Sequence, residues 1–267
     1  MTTLHASLGL TSWTWEPTVL AGVLALAAGY AWLLRSGGRD ASWSPLARVY
    51  FAGGLLVLFL ALSSPIDTGG DHYLFSLHML QHLLLAMVVP PLLLLGLPEQ
   101  WRAFDRVRVS PLAANIIFNG VLAVWHLPFL YEATLRNDPL HILEHLSFLA
   151  VGVLFWWPIL VPAARPHGMT AVGKMAYLTF AGVPPTILGL AFILSPTVLY
   201  PFYAAAPRVS PLSPLDDQLA AGLIMFGLGN LIYFAAVSII FFSLDDKRAT
   251  AGERGFVEVE SPATLPR

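Results

Sequence analysis

Seven apolar runs, each long enough to cross a lipid bilayer, constrain this chain more than any other feature of its sequence. They cover residues 17–34, 46–63, 72–97, 112–131, 139–160, 172–195 and 215–244. A helix needs about 20 mostly apolar residues to span the hydrocarbon core, and it satisfies its own backbone hydrogen bonds there. The sequence therefore predicts an all-α fold: a polytopic bundle of seven transmembrane helices in one membrane domain, residues 1–244, followed by a disordered cytoplasmic tail, residues 245–267.

The composition agrees with a membrane protein and removes several classes of function. Only 11% of the residues are charged, against roughly 25% in an ordinary soluble domain. The net charge of −2 offers no basic excess for binding a nucleic acid. The apolar runs make the lipid bilayer the first predicted partner. The chain has no cysteine, which excludes disulfides and thiolate ligands, and any soft-metal chemistry must therefore use histidine and methionine.

The distribution of basic residues predicts the orientation of the bundle. Twelve of the 14 lysines and arginines lie after the first, third and fifth runs or in the tail, and two lie in the remaining connections. Cytoplasmic connections carry the excess of positive charge in membrane proteins. We therefore expect the N-terminus outside and the C-terminus in the cytoplasm.

Histidines from three successive runs are predicted to lie at similar depths in the outer half of the membrane. His78 and His82 are four residues apart, as are His141 and His145, and this spacing places each pair on one helix face. With a rise of 1.5 Å per residue, we place His78 roughly 9 Å, His82 roughly 15 Å, His126 roughly 8 Å and His145 roughly 9 Å below the outer surface. Ionisable residues inside a membrane are rare and usually functional.

These residues predict an outward-facing metal site. Its expected ligands are His78, His82, His126 and His145, and four neighbours could contribute: His141, Glu144, Met79 and Met225. Imidazole accepts copper in either oxidation state, and a thioether favours the cuprous ion. Such a site would suit a copper ion as the cofactor, with zinc as an alternative.

One local motif keeps an enzymatic alternative open. The sequence His141-Ile-Leu-Glu144-His145 fits the H-x-x-E-H pattern of zinc peptidases, in which two histidines bind zinc and the glutamate acts as the base. His78-Met-Leu-Gln-His82 lacks the glutamate that the related H-E-x-x-H motif requires. An intramembrane zinc peptidase therefore stays an alternative, although we expect the protein not to be an enzyme.

Longer stretches carry a resemblance to a known family. They are His78-Met-Leu-Gln-His82-Leu-Leu-Leu, Pro91-Leu-Leu-Leu-Leu-Gly96-Leu-Pro98, Trp125-His126-Leu-Pro128-Phe-Leu-Tyr131, His141-Ile-Leu-Glu144-His145-Leu-Ser-Phe148, Phe155-Trp156-Trp157-Pro158 and Asp217-Gln218-Leu-Ala-Ala-Gly222-Leu-Ile-Met225. In this order they resemble the CtaG family of cytochrome c oxidase assembly factors, which serve the caa-type oxidases. The resemblance implies a multi-pass protein of the bacterial plasma membrane that aids copper insertion or subunit maturation, with cytochrome c oxidase subunits and an external copper donor as partners.

Two further classes of function stay open. Paired histidines from different spans could ligate a b-type haem in an electron-transfer protein. Alternatively, the histidines form only a polar network in a scaffold that binds oxidase subunits.

Overall fold

The computed structural model describes residues 8–36, 44–97, 109–161 and 169–259, and in these residues every regular element is a helix. The α-helices are α1 (Pro17–Ser36), α2 (Pro45–Ser63), α3 (Pro65–His72), α4 (Phe75–Leu83), α5 (Val89–Leu95), α6 (Pro111–Trp125), α7 (Pro128–Thr134), α8 (Asp138–Leu160), α9 (Ala171–Ala181), α10 (Val183–Leu194), α11 (Pro201–Ala205), α12 (Pro214–Leu223) and α13 (Gly229–Val259). Two π-helical turns, π1 (Leu84–Val88) and π2 (Ile224–Leu228), join α4 to α5 and α12 to α13.

The predicted helical membrane fold is confirmed in its coarse form. Six stretches are long and apolar enough to cross a membrane: Pro17–Ser36, Pro45–Ser63, Phe75–Leu95, Asp138–Leu160, Ala171–Leu194 and Pro214–Leu244. Helices α6 and α7 make a seventh if they count as one span, but they are bent by 77°. The break follows from Pro128, because the residue before a proline is forced out of helical geometry, and Leu127 is extended with ψ of 128°.

The third span begins later than predicted. The run expected to start at His72 is divided into the short helix α3 and a separate helix that starts at Phe75. Helix α4 has no side-chain cap from its own N-cap residue, Leu74. Asp217 of α12 replaces it and accepts hydrogen bonds from the backbone N–H groups of Phe75 at 2.7 Å and Ser76 at 3.2 Å. A carboxylate at a helix N-terminus satisfies free donors and favours a helix start.

A close contact between the third span and α8 lies next to the prolines of the third span. Pro90 lacks the N–H that would bond the carbonyl of Ala86, and π1 ends two residues before it. Gly152 of α8 lies against that carbonyl, so closely that a Cβ atom on Gly152 would lie 2.5 Å from the oxygen. Only glycine permits this approach. The other proline pair, Pro184 and Pro185, follows the interruption between α9 and α10 at Gly182.

The last helix continues beyond the predicted end of the membrane domain. It runs to Val259, whereas residues 245–267 were predicted to form a disordered tail. The segment 247–254 consists of Lys, Arg, Thr, Ala, Gly and Glu, and its Ala, Lys, Arg and Glu have high helix propensity. Residues 260–267 of the predicted tail lie outside the described residues.

The third span forms the centre of the bundle. Within its most apolar window 56% of the residues are buried, against 6% for α1. Helices α2 and α8 pack against π1 and α5, and α12 packs against α4. The histidines of α4 are therefore enclosed by protein rather than by lipid.

Candidate metal centre

Helices α4 and α8 bring four imidazole rings together. Each pair lies one turn apart on its helix, with ring centroids 4.2 Å apart for His78 and His82 and 4.1 Å apart for His141 and His145. The two helices face each other, since the rings of His78 and His141 are separated by 5.3 Å and those of His82 and His145 by 5.5 Å. His78 is fully buried and His82 is 5% exposed.

Three of these rings form a compact set of nitrogen ligands, which we call the triad: His78, His82 and His145. One ring nitrogen from each lies within 4.8 Å of the other two. The Nε2 atoms of His78 and His82 are 2.7 Å apart, a hydrogen bond in which one ring must donate and the other accept. Nε2 of His145 is buried and has no hydrogen-bond partner in the residues that the structure describes. An unpaired buried nitrogen is unusual in a folded protein, and the lone pair of a neutral imidazole is a metal ligand.

A second set, the Asp71 cluster, shares His78 with the triad. It consists of Asp71, His78 and His141. Oδ1 of Asp71 lies 3.7 Å from Nδ1 of His78 and 3.6 Å from Nε2 of His141. These three atoms are buried, and within the described part of the chain none of them has a hydrogen-bond partner of ordinary geometry. His78 thus directs one ring nitrogen to each set.

The surroundings of the Asp71 carboxyl group disfavour its negative charge. Burial raises its pKa well above the usual range, and the nearby carboxylates of Asp67, Glu144 and Asp138 raise the pKa further. Such a group gains stability from any positive charge that reaches it. Sequence reasoning did not assign Asp71 to the site. The available signal was an acidic residue at the entrance of a span that contains two histidines.

Glu144 lies beside the triad. It is fully buried, and its Oε1 atom is 3.7 Å from Nε2 of His82. Among the described residues, neither carboxylate oxygen has a hydrogen-bond partner of ordinary geometry. In the H-x-x-E-H pattern both histidines hold one zinc ion, but here His145 belongs to the triad and His141 to the Asp71 cluster.

His126 occupies a different position from the triad. It lies at the break between α6 and α7, with its ring centroid 6.0 Å from that of His82. Its Nδ1 atom is 2.7 Å from the carbonyl oxygen of Leu122, and its Nε2 atom is 3.4 Å from Sδ of Met79. The structure thus brings His78, His82 and His145 together and pairs His126 with Met79. Met225 of π2 lines a small apolar cavity beside His82, Met79 and His126.

A polar cavity at one end of the bundle extends to two of the histidines, His141 and His145. A cavity of about 360 Å³, which we call the acidic vestibule, is lined by Thr14, Glu16, Thr18, Val19, Leu62, Asp67, Thr68, Asp71, His72, Asp138, His141, Ile142 and His145. This volume corresponds to about ten water molecules. Its described lining has four carboxylates and no lysine or arginine, which favours cations.

Polar side chains hold the vestibule wall and the third span together. Gln81 donates from Nε2 to Oδ1 of Asp67 at 2.8 Å and to the carbonyl of Ala61 at 2.9 Å. Thr14 donates to Oδ2 of Asp67 at 2.8 Å. These bonds connect the residues before α1, helix α3 and helix α4, and they fix the side of the vestibule nearest the histidines.

Three tyrosines fix the backbone around the histidines. The hydroxyl of Tyr203 donates to the carbonyl of Gly70, next to Asp71, at 2.8 Å, and that of Tyr200 donates to the carbonyl of His126 at 2.9 Å. The hydroxyls of Tyr131 and Tyr203 are 3.2 Å apart. The connection that contains Tyr200 and Tyr203 therefore packs beside the site, and its tyrosine hydroxyls bond to the carbonyls of Gly70 and His126 and to the hydroxyl of Tyr131.

Comparisons with known proteins identify one family and three long relatives. The model of the cytochrome c oxidase caa3 assembly factor family (Caa3_CtaG) matches residues 28–245. Uncharacterized proteins of Mycobacterium bovis and Mycobacterium tuberculosis are each 27% identical over 274 aligned residues, and the alignment covers 91% of this chain and 41% of theirs. An uncharacterized protein of Mycobacterium leprae is 24% identical over 83% of this chain and 38% of its own. The chain thus spans about two fifths of these relatives, and no solved structure matches it.

Proposed function

We propose, from the premise that this chain belongs to the cytochrome c oxidase caa3 assembly factor family, that its triad holds copper during assembly of the oxidase. The protein acts as a carrier, and copper is its cargo. Its partners are the oxidase subunits that receive copper and a donor that delivers copper from outside. The membrane concerned is the bacterial plasma membrane.

The observation that carries this proposal is the convergence of the triad. Imidazole nitrogens bind metals at about 2.0–2.1 Å, so two nitrogens that share a tetrahedral ion lie about 3.3 Å apart. The Nε2 atoms of His78 and His82 are 2.7 Å apart with a proton between them. A metal ion bound by both Nε2 atoms would take the place of this hydrogen, which would move to Nδ1 of the same ring. The two nitrogens would then lie about 0.6 Å further apart. The ligand set therefore fits a metal.

Several features favour copper as that metal. Imidazole ligands without thiolates suit copper and zinc, and the family connects the chain to an enzyme that contains copper. The vestibule offers carboxylates on the route to the triad, and Met79 lies one residue from His78. Carrier proteins need ligands that exchange, and the vestibule, which His145 lines, offers the triad a route for exchange. The lysine and arginine count predicts that this route opens on the outer face.

The dimensions of the apolar cavity weigh against the haem alternative. Its volume beside His82 and His126 is about 40 Å³, roughly the space of one water molecule. A porphyrin ring could not enter without separating the helices. A single metal ion requires no such change.

The test is copper binding by the purified full chain in detergent. Metal-free protein would be dialysed against Cu²⁺ and analysed for bound copper, together with His78→Ala, His82→Ala and His145→Ala variants. The control is His167→Ala, which lies outside the described residues and is predicted on the cytoplasmic side. We expect one copper ion at the triad of the wild type and of the control, and at least about tenfold weaker binding in the triad variants, since losing even an indirect partner of a ligand costs about 10–100-fold. If the three triad variants bound copper as tightly as the wild type and the control, the proposal would be wrong.

The cellular test uses the same variants. We expect each triad variant to insert into the membrane while the oxidase of the same cells lacks copper and activity. Normal oxidase in cells that carry all three substitutions would favour the scaffold function instead.

A further inference from the structure

The hydrogen bond of His126 determines which of its ring nitrogens carries a lone pair. Nδ1 is 2.7 Å from the carbonyl oxygen of Leu122, and a carbonyl can only accept. Nδ1 therefore carries the hydrogen, and Nε2 of the neutral ring presents its lone pair.

The lone pair of His126 points to a second atom that cannot donate. Sδ of Met79 lies 3.4 Å from Nε2, and a thioether sulfur has only lone pairs to offer. A hydrogen between them would require a doubly protonated ring, which would bury a positive charge. His126 forms no ion pair within the described ranges. Two lone pairs that face each other without a proton are the arrangement that a soft cation completes.

Both side chains are fixed in place by the surrounding fold. His126 is 5% exposed and Met79 is 1% exposed. The backbone of His126 is held by the hydroxyl of Tyr200 and its ring by the carbonyl of Leu122. Hydrogen bonds of this kind fix the orientation of metal-ligating histidines.

The space next to this pair contains further soft donors. The apolar cavity is lined by His82, His126, Met79, Met87 and Met225 among other residues. Its volume of about 40 Å³ is close to that of one water molecule. Thioether and imidazole donors in an apolar setting select the cuprous ion over harder cations.

We propose that His126 and Met79 form a separate cuprous-ion site, to which Met225 can contribute from the other side of the cavity. This inference rests on the proposed function, because it assigns the oxidation state of the cargo. His82 lies between the two sites, with ring centroids 5.5 Å from His145 and 6.0 Å from His126. The donor groups thus differ between neighbouring sites. They are carboxylate and imidazole at Asp71 and His141, imidazole alone at the triad, and imidazole and thioether at His126 and Met79.

The first test compares Met79→Leu with Met175→Leu, a half-buried methionine of α9 outside the cavity. The purified full chain is titrated with Cu⁺ under anaerobic conditions against a competing chelator, and Zn²⁺ is used as the probe of the triad. We expect Met79→Leu to weaken Cu⁺ binding by at least about tenfold and to leave Zn²⁺ binding unchanged, while Met175→Leu changes neither. Cu⁺ binding by Met79→Leu at the wild-type strength would overturn the proposal.

A second test needs no substitution and therefore does not depend on folding of a variant. Protein labelled with selenomethionine is loaded with Cu⁺, and X-ray absorption is recorded at the selenium and copper edges. A copper–selenium distance in the bonding range supports the site, and its absence refutes it. The two proposals fail separately. If the wild-type triad bound neither Zn²⁺ nor Cu²⁺, the proposed function would be wrong. If copper in the loaded protein were bound only by nitrogen, the His126–Met79 site alone would be wrong.

Discussion

His78 is the residue on which the two ligand sets depend. Its Nε2 atom faces His82 and its Nδ1 atom faces Asp71, so one ring contacts both ligand sets. A neutral imidazole offers one lone pair at a time, so His78 would serve the two sets in turn, with its hydrogen on the other ring nitrogen. His141 takes part only at the vestibule end.

This difference predicts different effects for two substitutions. His78→Ala should weaken copper binding at equilibrium by at least about tenfold, because it removes a ligand from both sets. His141→Ala should slow copper loading and leave equilibrium binding nearly unchanged, because the triad keeps its three rings. Equilibrium dialysis and stopped-flow loading measure the two quantities. If His141→Ala abolished equilibrium binding as fully as His78→Ala, the assignment of a separate triad would be wrong.

Glu144 distinguishes a carrier from a peptidase. Removing a general base lowers an enzymatic rate by about 10²–10⁴-fold, so Glu144→Gln would abolish the function of a zinc peptidase. The carrier hypothesis expects oxidase assembly within a few-fold of wild type, because the triad remains and glutamine preserves the shape of the side chain. Oxidase activity in membranes of complemented cells measures the outcome. Complete loss of activity with metal binding intact would favour the peptidase.

At the scale of elements, the position of the histidines depends on how α4 begins. The start of α4 has no cap of its own, and the carboxylate of Asp217 accepts bonds from Phe75, from the backbone of Ser76 and from the Ser76 hydroxyl. His78 follows within one turn. The position of His78 and His82 therefore depends on a contact between residues 142 positions apart in the sequence.

Asp217→Ala is expected to destabilise the protein and to weaken metal binding together. Hydrogen bonds to a buried charged group contribute about 1.5–3 kcal/mol to stability, and the substitution leaves two backbone N–H groups without an acceptor. The matched control is Asp216→Ala, whose exposed side chain caps only its own helix through Ser213. Thermal unfolding of the purified protein and copper dialysis provide the readouts. Equal behaviour of the two variants would contradict a special role for Asp217.

At the scale of the whole molecule, the sequence predicts the membrane bundle and the meeting of two histidine pairs, because both depend on short-range periodicity. Apolar length identifies the spans, and the four-residue spacing identifies the ring pairs of α4 and α8. The separation of His126 from the triad could not be predicted, because it follows from the break at Pro128 and from the bond to Leu122. The role of Asp71 depends on packing between α3, α4 and α8, which no local pattern encodes.

The direction in which the vestibule opens is a property of the whole chain, and its lack of cysteine makes that direction measurable. The vestibule lies at the end of the bundle where α1 and α8 begin, since Glu16 and Asp138 line it. The positive-inside bias predicts that this end faces outward. A Pro211→Cys variant in the connection before α12 should therefore react with a membrane-impermeant maleimide in intact cells. A Ser36→Cys variant at the other end of α1 should react only after permeabilisation. The reverse labelling would direct the vestibule to the cytoplasm, and copper would then have to come from a cytoplasmic donor.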